Sequence, residues 1–99
     1  MKRNLIRYRI SPERVSENAT LIKGVFEELN AKSPNDLRYA VLNLDDGGFV
    51  HVVETENEPS LLTQLESFRA FQRNLKDRQI EPAVALGVTI VGNYRMLAK

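Results

Sequence analysis

The only histidine of the sequence, His51, is its clearest candidate for acid–base chemistry. It lies inside the largely apolar run Phe49–Glu54. An imidazole has an unperturbed pKa of about 6.5, so either protonation state is accessible near neutral pH. His51 is therefore predicted to act as a general base, or as a hydrogen-bond donor to a carbonyl or phenol. The alternative is a core or interface histidine that neighbouring side chains satisfy.

Tyr39 and Asn43 are predicted to share one face of the strand that precedes His51. If the turn Asp45–Gly48 contains a glycine bulge, that face also holds His51, and a phenol, an amide and an imidazole surround a site suited to a flat ligand. With a plain two- or four-residue loop, His51 instead joins the leucines of the other face. Tyr39 is predicted to act with His51, and Asn43 to bind the ligand. The competing interpretation is that these side chains fill a sheet interface with their polar ends at its rim.

Charged side chains form a second group of candidate ligand contacts. Arg7 and Arg9 share a face of the first predicted strand, and Glu54 and Glu56 lie near the end of the third. Arg9 and Glu54 are the predicted ligand-binding members. The competing and favoured interpretation is a set of cross-strand ion pairs at the rim of a barrel.

The C-terminal third of the chain holds two further groups. Tyr94, with Arg95 beside it, is predicted to close a ligand pocket or to anchor the last strand across a dimer. A basic strip on the second helix is interpreted as a solvated helix face. Its members are Arg69, Arg73, Lys76 and Arg78. No metal site is expected, because the chain has no cysteine and no second histidine.

Four runs with strand character are expected to position these residues. Ile6, Tyr8 and Ile10 alternate with arginines, which is the period of a strand. The four predicted strands are Leu5–Ile10, Leu37–Leu44, Phe49–Thr55 and Ala83–Leu97. The second and third form a hairpin across the glycine-containing turn. The fourth follows a break at Glu81–Pro82, and its length predicts that it reaches past its own sheet.

Two helices are expected between these strands. Ser11 is the predicted N-cap of the first, with Pro12 at its first position. Its apolar stripe consists of Val15, Ala19, Ile22, Phe26 and Leu29. The second follows a loop around Pro59 and runs from Ser60 or Thr63 to about Arg78. Thr63 and Glu66 match a capping-box pattern at its start.

The order of elements predicts a ferredoxin-like α+β fold, βαββαβ, as one domain over residues 1–99. Both helices are expected on one face of a four-stranded antiparallel sheet, with strands one and three in the centre. The other face keeps apolar residues, such as Val84, Leu86, Val88 and Ile90, and a solvated face is usually more polar. The expected cover is a second copy of the chain, packed sheet to sheet in a barrel-like homodimer.

Composition narrows the classes of partner and location. The net charge of +1 supplies no strong field for nucleic acid or an anionic membrane, so neither partner is expected. No run approaches the roughly 20 apolar residues that span a bilayer. The start, MKRNLIRYRI, lacks the pattern of a signal peptide because arginines interrupt its apolar stretch. A cytoplasmic protein is expected.

Several segments together resemble a known superfamily. YRISPERVSENATLIKGVFEELNAKSP, LRYAVLNLDDGGFVHVVETE, FRAFQRNLKDRQIEP and VGNYRM look like the dimeric α+β barrel superfamily, most of all its small stand-alone members related to the antibiotic-biosynthesis monooxygenases. The resemblance implies a homodimer. It also implies one of several roles: cofactor-free oxygenation of polycyclic or quinol-type substrates, haem degradation, isomerisation of small lactones, or no assigned activity.

The departures from that superfamily narrow the choice. The resemblance implies, for haem-degrading members, a histidine on helix two and a tryptophan near the haem. This chain has no histidine in that helix and no tryptophan, so no cofactor is expected. The Asn, Trp and Arg set of the oxygenases does not transfer either, because tryptophan is missing. The resemblance places the chain among the members with no assigned activity, and the first hypothesis for it is a cofactor-independent oxygenase or isomerase acting on a small aromatic or conjugated substrate. The alternative is a non-catalytic dimer that binds a small molecule or another protein.

Overall fold

The elements of the computed structural model, which describes residues 2–56 and 60–97, follow the predicted order βαββαβ. The strands are β1 (Lys2–Ile10), β2 (Leu37–Asn43), β3 (Gly48–Thr55) and β4 (Gln79–Gly87). The helices are α1 (Val15–Lys32), α2 (Glu66–Arg73) and the short α3 (Leu75–Arg78), with 3₁₀ turns at Pro12–Arg14 and Leu61–Gln64. The predicted loop at Pro59 lies outside the described residues.

The four strands form one antiparallel sheet in the order β2-β3-β1-β4, so β1 and β3 are central, as predicted. The helices cover one face of it, here named the helix-side face; the other is the open face. The core between helices and sheet is built from Tyr8, Ile10, Ile22, Val25, Leu29, Phe49, Leu62, Leu65, Phe68 and Phe71. No helix in the described part of the chain is both long enough and apolar enough to cross a membrane.

The start of α1 differs from its prediction. The side chain of Ser11 makes no capping hydrogen bond. Its backbone oxygen instead accepts a hydrogen bond from Arg14 N at 2.8 Å, which closes a 3₁₀ turn led by Pro12. The regular helix therefore begins at Val15. The predicted stripe does face the sheet, and it also contains a polar residue, Asn18, that is fully buried.

The hairpin between β2 and β3 contains the glycine bulge that was one of the two predicted alternatives. Gly47 has φ +87°, a left-handed conformation that favours glycine. Its N–H donates to Leu44 O at 3.1 Å, and Leu44 N donates to Gly48 O at 2.7 Å. This turn sets a register in which Val41 lies opposite His51. Tyr39, Asn43 and His51 consequently share the helix-side face.

The second helical region is broken into three pieces. The predicted capping box is wrong: Thr63 Oγ1 donates to Ser60 O at 3.0 Å, and the N-cap of α2 is Leu65. A turn at Asn74 separates α2 from α3, which ends at the predicted Arg78. The chain then enters β4 without a loop.

The predicted bounds of β4 are wrong at both ends. The strand begins at Gln79, and Glu81 and Pro82 lie inside it, where shifts in its pairing with β1 accommodate the proline on an edge strand. It ends at Gly87, which pairs with Asn4. In the described structure β1 extends only two residues beyond Asn4, so β1 itself offers little backbone for a longer β4 to pair with. Residues 88–97 follow outside the strand.

Candidate functional site

Three ring side chains from three neighbouring strands meet on the helix-side face. His51 lies on the central strand β3, between Tyr8 on β1 and Tyr39 on β2. Its direct cross-strand partners are Ile6 and Val41, so each tyrosine is a diagonal neighbour two residues along. Diagonal neighbours on one face of an antiparallel sheet are within reach for aromatic side chains. The sheet register therefore brings the three rings together.

Both nitrogens of His51 are engaged by phenols. Tyr39 Oη lies 2.6 Å from Nδ1, and Tyr8 Oη lies 2.7 Å from Nε2. The predicted association of Tyr39 with His51 thus forms, on the same side as the core. Sequence reasoning assigned Tyr8 only to the strand pattern and missed its role. The available signal was that a buried tyrosine requires a partner for its hydroxyl group.

Two helical residues extend the contacts from Tyr8 into the interior. Asn18 of α1 donates from Nδ2 to Tyr8 Oη at 3.2 Å, and Arg78 of α3 donates from Nε to Asn18 Oδ1 at 3.0 Å. Asn18 is 0% exposed and Arg78 is 1% exposed. The five residues Arg78, Asn18, Tyr8, His51 and Tyr39 form a continuous hydrogen-bonded series, here named the buried polar chain.

The position of Arg78 corrects the interpretation of a solvated basic strip on the second helix. Arg69, Arg73 and Lys76 are exposed, whereas Arg78 is buried. Arg78 also donates from Nη2 to Phe71 O at 2.7 Å, and its guanidinium lies 5.6 Å from the centre of the Phe71 ring. The turn at Asn74 separates Arg78 from the regular periodicity of α2, so spacing along one helix did not predict its direction.

Aromatic side chains enclose the buried polar chain. Phe49 is stacked on Tyr8 with ring centroids 5.7 Å apart, and Phe26 is stacked on Tyr39 at 5.0 Å. Phe71 lies 5.5 Å from the His51 ring. Tyr39 is the only one of the five chain members that is partly exposed, and it lies on the edge strand β2. Tyr39 is therefore the end of the chain closest to solvent.

Burial governs the protonation of the site. It lowers the pKa of His51 to about 4, because the charged imidazolium is poorly solvated there. Burial also raises the pKa of Tyr8 to about 12, against the hydrogen bond from Asn18 and the charge of Arg78, which lower it. It likewise raises the pKa of Tyr39, with a smaller contribution from Tyr8. All three rings are consequently neutral at pH 7, and His51 carries one N–H proton.

The described residues offer no metal centre. Across 2–56 and 60–97, no group of three or more His, Cys, Asp or Glu side chains lies close enough to hold a metal ion. The partners of His51 are phenols and not carboxylates. The titratable groups around His51 are therefore neutral hydrogen-bond donors and acceptors.

Asn43 and Tyr94, both predicted to bind ligand, lie apart from the buried polar chain. Asn43 is exposed at the end of β2 and lines a cavity beside the hairpin turn, with Pro12 and Val15. Tyr94 is exposed in the segment after β4, where the guanidinium of Arg95 lies 5.0 Å from its ring centre. Neither residue is brought together with His51 by this structure.

Arg9 and Glu54 both form ion pairs, but each with residues other than the predicted ones. Arg9 pairs with Glu81 at 3.0 Å, and Glu54 pairs with Arg3 and, at 3.8 Å, with Arg38. The reason is the antiparallel register, in which Glu54 lies opposite Arg3 at the start of β1. The predicted proximity of Arg9 to Glu54 is therefore wrong.

The open face carries two of the four predicted apolar side chains, Val84 and Leu86, whereas Val88 and Ile90 lie beyond the end of β4. Leu42 is 56% exposed and Val84 is 42% exposed, and Leu86 is also exposed. A groove of about 550 Å³ crosses this face between the edge strand β4 and the hairpin turn. Its lining includes Leu5, Arg7, Arg9, Val50, Glu81 and Val84. The open face thus combines apolar surface with two arginines.

Comparison with solved structures identifies proteins of the same fold. A protein described as a candidate antibiotic biosynthesis monooxygenase from Bacteroides thetaiotaomicron is 15% identical, with a TM-score of 0.78 over 98% of this chain and 95% of that chain. An antibiotic biosynthesis monooxygenase is 19% identical, and a candidate one from Nitrosomonas europaea is 11% identical. Each has a TM-score of 0.74 over 93% of this chain and 100% of the other.

The sequence itself matches no protein-family model and no curated protein. The structural comparison nevertheless agrees with the resemblance noted from the sequence, because the chain has the ferredoxin-like fold of these monooxygenase-type proteins. Because a fold hosts many activities, the chemistry has to be argued from the site.

Proposed function

We propose that the protein is a cofactor-independent oxygenase or isomerase that acts on a small aromatic or conjugated substrate at the Tyr39–His51 end of the buried polar chain. The observation that carries the proposal is the neutral imidazole held 2.6 Å from a phenol in a dry, aromatic-lined interior. Such a pair is uncharged in the resting state and can donate a hydrogen bond to a substrate oxygen. Exclusion of water strengthens each of these hydrogen bonds.

The same pair suits both reaction types. A conjugated carbonyl or phenol whose oxygen accepts a hydrogen bond from Tyr39 loses a proton to water more readily, which gives an electron-rich anion. That anion either takes the proton back at another carbon, which is isomerisation, or reacts with O₂ as the oxidant. The aromatic rings of Phe26 and Phe71 beside Tyr39 and His51 provide apolar surface for a flat substrate. The substrate is proposed to approach at the β2 edge, because Tyr39 is partly exposed there.

The proposed working form is a cytoplasmic homodimer in which a second copy covers the open face. Support comes from the exposed Leu42, Val84 and Leu86 on that face. A chain of 99 residues also buries a modest fraction of its surface alone, so further burial stabilises it. The likeness in fold to monooxygenase-type proteins supports the activity class without fixing the substrate.

One observation favours the alternative, a non-catalytic dimer that binds a small molecule or another protein. His51 is 4% exposed and both of its nitrogens already have partners. In that case the buried polar chain is a structural element that specifies the core. Catalysis predicts that a proton of the bound ligand exchanges with solvent, whereas the non-catalytic dimer predicts that it does not.

The test follows both reactions with one set of compounds. Hydroxynaphthalenes, anthrones and conjugated lactones are incubated with the protein, while O₂ uptake is recorded at an electrode and deuterium incorporation from D₂O by NMR. Activity is expected in the wild type, with a loss of about 100-fold or more in His51→Gln, the usual size of a lost acid–base group. The exposed-helix variant Arg73→Met should match the wild type.

Two results would decide against catalysis. Ligand binding without O₂ uptake or proton exchange would support the non-catalytic dimer. Equal activity in His51→Gln and the wild type would remove His51 from the reaction.

A further inference from the structure

The hydrogen bonds of the buried polar chain have a fixed direction that starts at Arg78. A guanidinium group can only donate hydrogen bonds. Because Arg78 Nε donates to Asn18 Oδ1, the oxygen of that amide is the acceptor and its Nδ2 points at Tyr8. Tyr8 Oη therefore accepts from Asn18, and its own hydrogen needs another acceptor.

That acceptor is His51 Nε2, which lies 2.7 Å from Tyr8 Oη. If Nε2 accepts, the single proton of the neutral imidazole must sit on Nδ1. Nδ1–H then donates to Tyr39 Oη at 2.6 Å. The hydroxyl hydrogen of Tyr39 is left for an acceptor beyond the buried polar chain.

The opposite tautomer conflicts with the same contacts. A proton on Nε2 would give Tyr8 Oη two incoming donors, from His51 and from Asn18, and would leave its own hydrogen without an acceptor. An unpaired polar hydrogen in a buried position is unfavourable. The Nδ1–H form is therefore expected to be the major one, at about 90% or more of the population.

Arg78 contributes charge as well as direction. Arg78 forms no ion pair with a carboxylate of residues 2–56 or 60–97. Burial lowers the pKa of its guanidinium, but a guanidinium is so strong a base that it stays protonated. A buried positive charge polarises hydrogen bonds that point away from it. Negative charge is consequently favoured at the far end of the series, which is the Tyr39 hydroxyl.

We propose that Arg78 and Asn18 are positioning residues that hold His51 as the Nδ1–H tautomer, so that Tyr39 presents a hydrogen-bond donor to its ligand. The group that Tyr39 recognises is then a carbonyl, enolate or phenolate oxygen, and not a ligand donor. This statement about the ligand rests on the proposed function, whereas the tautomer does not. The resting site binds an acceptor and stabilises negative charge that develops on it.

The tautomer is measured in the wild-type protein by NMR at pH 7 with ¹⁵N-labelled histidine. The chain has one histidine, so the ring signals need no assignment. Two-bond couplings between ring protons and ring nitrogens distinguish the two tautomers. An unprotonated Nε2 and a protonated Nδ1 are expected, and a protonated Nε2 would overturn the proposal without any variant.

The variant Asn18→Asp reverses the direction. An aspartate accepts from both Arg78 and Tyr8, so Tyr8 Oη is free to accept from His51 and the proton is expected on Nε2. Asn43→Asp makes the same chemical change at the exposed end of β2 and should leave the proton on Nδ1. A folded Asn18→Asp protein that keeps Nδ1–H would overturn the positioning role.

Ligand polarity is tested with two flat probes of similar size, 1-indanone, which only accepts, and indole, which only donates. Chemical-shift titration should give about 10-fold tighter binding of 1-indanone, the equivalent of one hydrogen bond, and Tyr39→Phe should remove the difference. Equal binding, or none, with Nδ1–H observed would overturn the ligand part alone. Turnover in the assays above is scored separately, so the two proposals fail independently.

Discussion

The two faces of the sheet depart from the usual rule that apolar side chains are buried and polar side chains are exposed. On the helix-side face, His51 and the other polar members of the buried polar chain are enclosed, and each has a hydrogen-bond partner. On the open face, Leu42 and Val84 are exposed. Polar groups that are buried and satisfied specify a particular arrangement, whereas exposed apolar groups favour association. The comparison supports the proposed site on one face and the proposed dimer surface on the other.

The two faces should differ most in how much the free energy of unfolding falls when one apolar residue on each is truncated to alanine. Phe49→Ala removes a buried ring that is stacked on Tyr8 and should lower the free energy of unfolding by about 3–5 kcal/mol. Leu42→Ala on the open face should cost less than about 1 kcal/mol in the single chain, since that side chain is already exposed. Urea denaturation at a protein concentration low enough to keep the chain monomeric measures both losses. Equal losses would remove the distinction between the faces.

Acidification should weaken the helix-side face through His51. Its pKa is lowered from 6.5 to about 4 in the folded chain, so the unfolded chain binds the proton first as the pH falls. The contribution of the neutral ring is complete above about pH 6.5 and declines until about pH 4. Between pH 7 and pH 4.5, wild type should lose about 2–3 kcal/mol more unfolding free energy than His51→Gln.

The His51→Gln protein is the control for this pH effect, because it differs from the wild type only in the histidine and has the same carboxylates. Tyr8 and Tyr39, which contact the ring, and Arg78, which is linked to it through Asn18 and Tyr8, keep their protons throughout this range. Parallel stability curves for wild type and His51→Gln would contradict the buried, neutral state of the imidazole.

A smaller effect is expected from loss of the buried cation. Arg78→Met leaves Asn18 Oδ1 and Phe71 O without their donor and should cost about 1–3 kcal/mol of unfolding free energy. Arg73→Met, at an exposed position on the preceding helix, should change it by less than about 0.5 kcal/mol. Thermal and urea unfolding compare the two. Identical stabilities would return Arg78 to the solvated strip that the sequence suggested.

The smallest effect on the single chain is expected on the open face. Val84→Glu places a carboxylate opposite Arg7, so the isolated chain should change by less than about 0.5 kcal/mol. A dry dimer interface would not tolerate that charge, and dissociation at micromolar concentration is expected by light scattering. Gln72→Glu adds the same charge on an exposed helical position and should leave the mass unchanged. A Val84→Glu protein that keeps the wild-type mass would place the interface elsewhere.

Local patterns predicted much of the fold and part of the site. Alternation identified the strands that carry Tyr8, Tyr39 and His51, and the turn chemistry at Gly47 supplied one of two possible registers. The choice between registers depends on the φ angle of a single glycine, which residue types alone leave open. Strand β4 was misplaced because its end depends on where β1 begins, a tertiary relation.

Besides the role of Tyr8, the sequence did not predict Asn18 and Arg78 as members of the site. Asn18 occupies the buried stripe of α1 next to apolar residues, and nothing in helical spacing separates it from an exposed asparagine. Arg78 follows a turn in the helix and reaches back beneath it to Phe71 and Asn18. The contact with Asn18 joins residues 60 positions apart and becomes visible only when the helices are packed on the sheet.

The most direct measurement of the central claim is an NMR titration of the His51 ring protons from pH 7.5 to pH 3.5. The single histidine gives two resolvable ring signals. A neutral imidazole sealed between Tyr8 and Tyr39 should hold its chemical shifts constant down to about pH 5 and titrate near pH 4. A titration centred near pH 6.5, the value of a solvated imidazole, would contradict the buried polar chain and the function proposed for it.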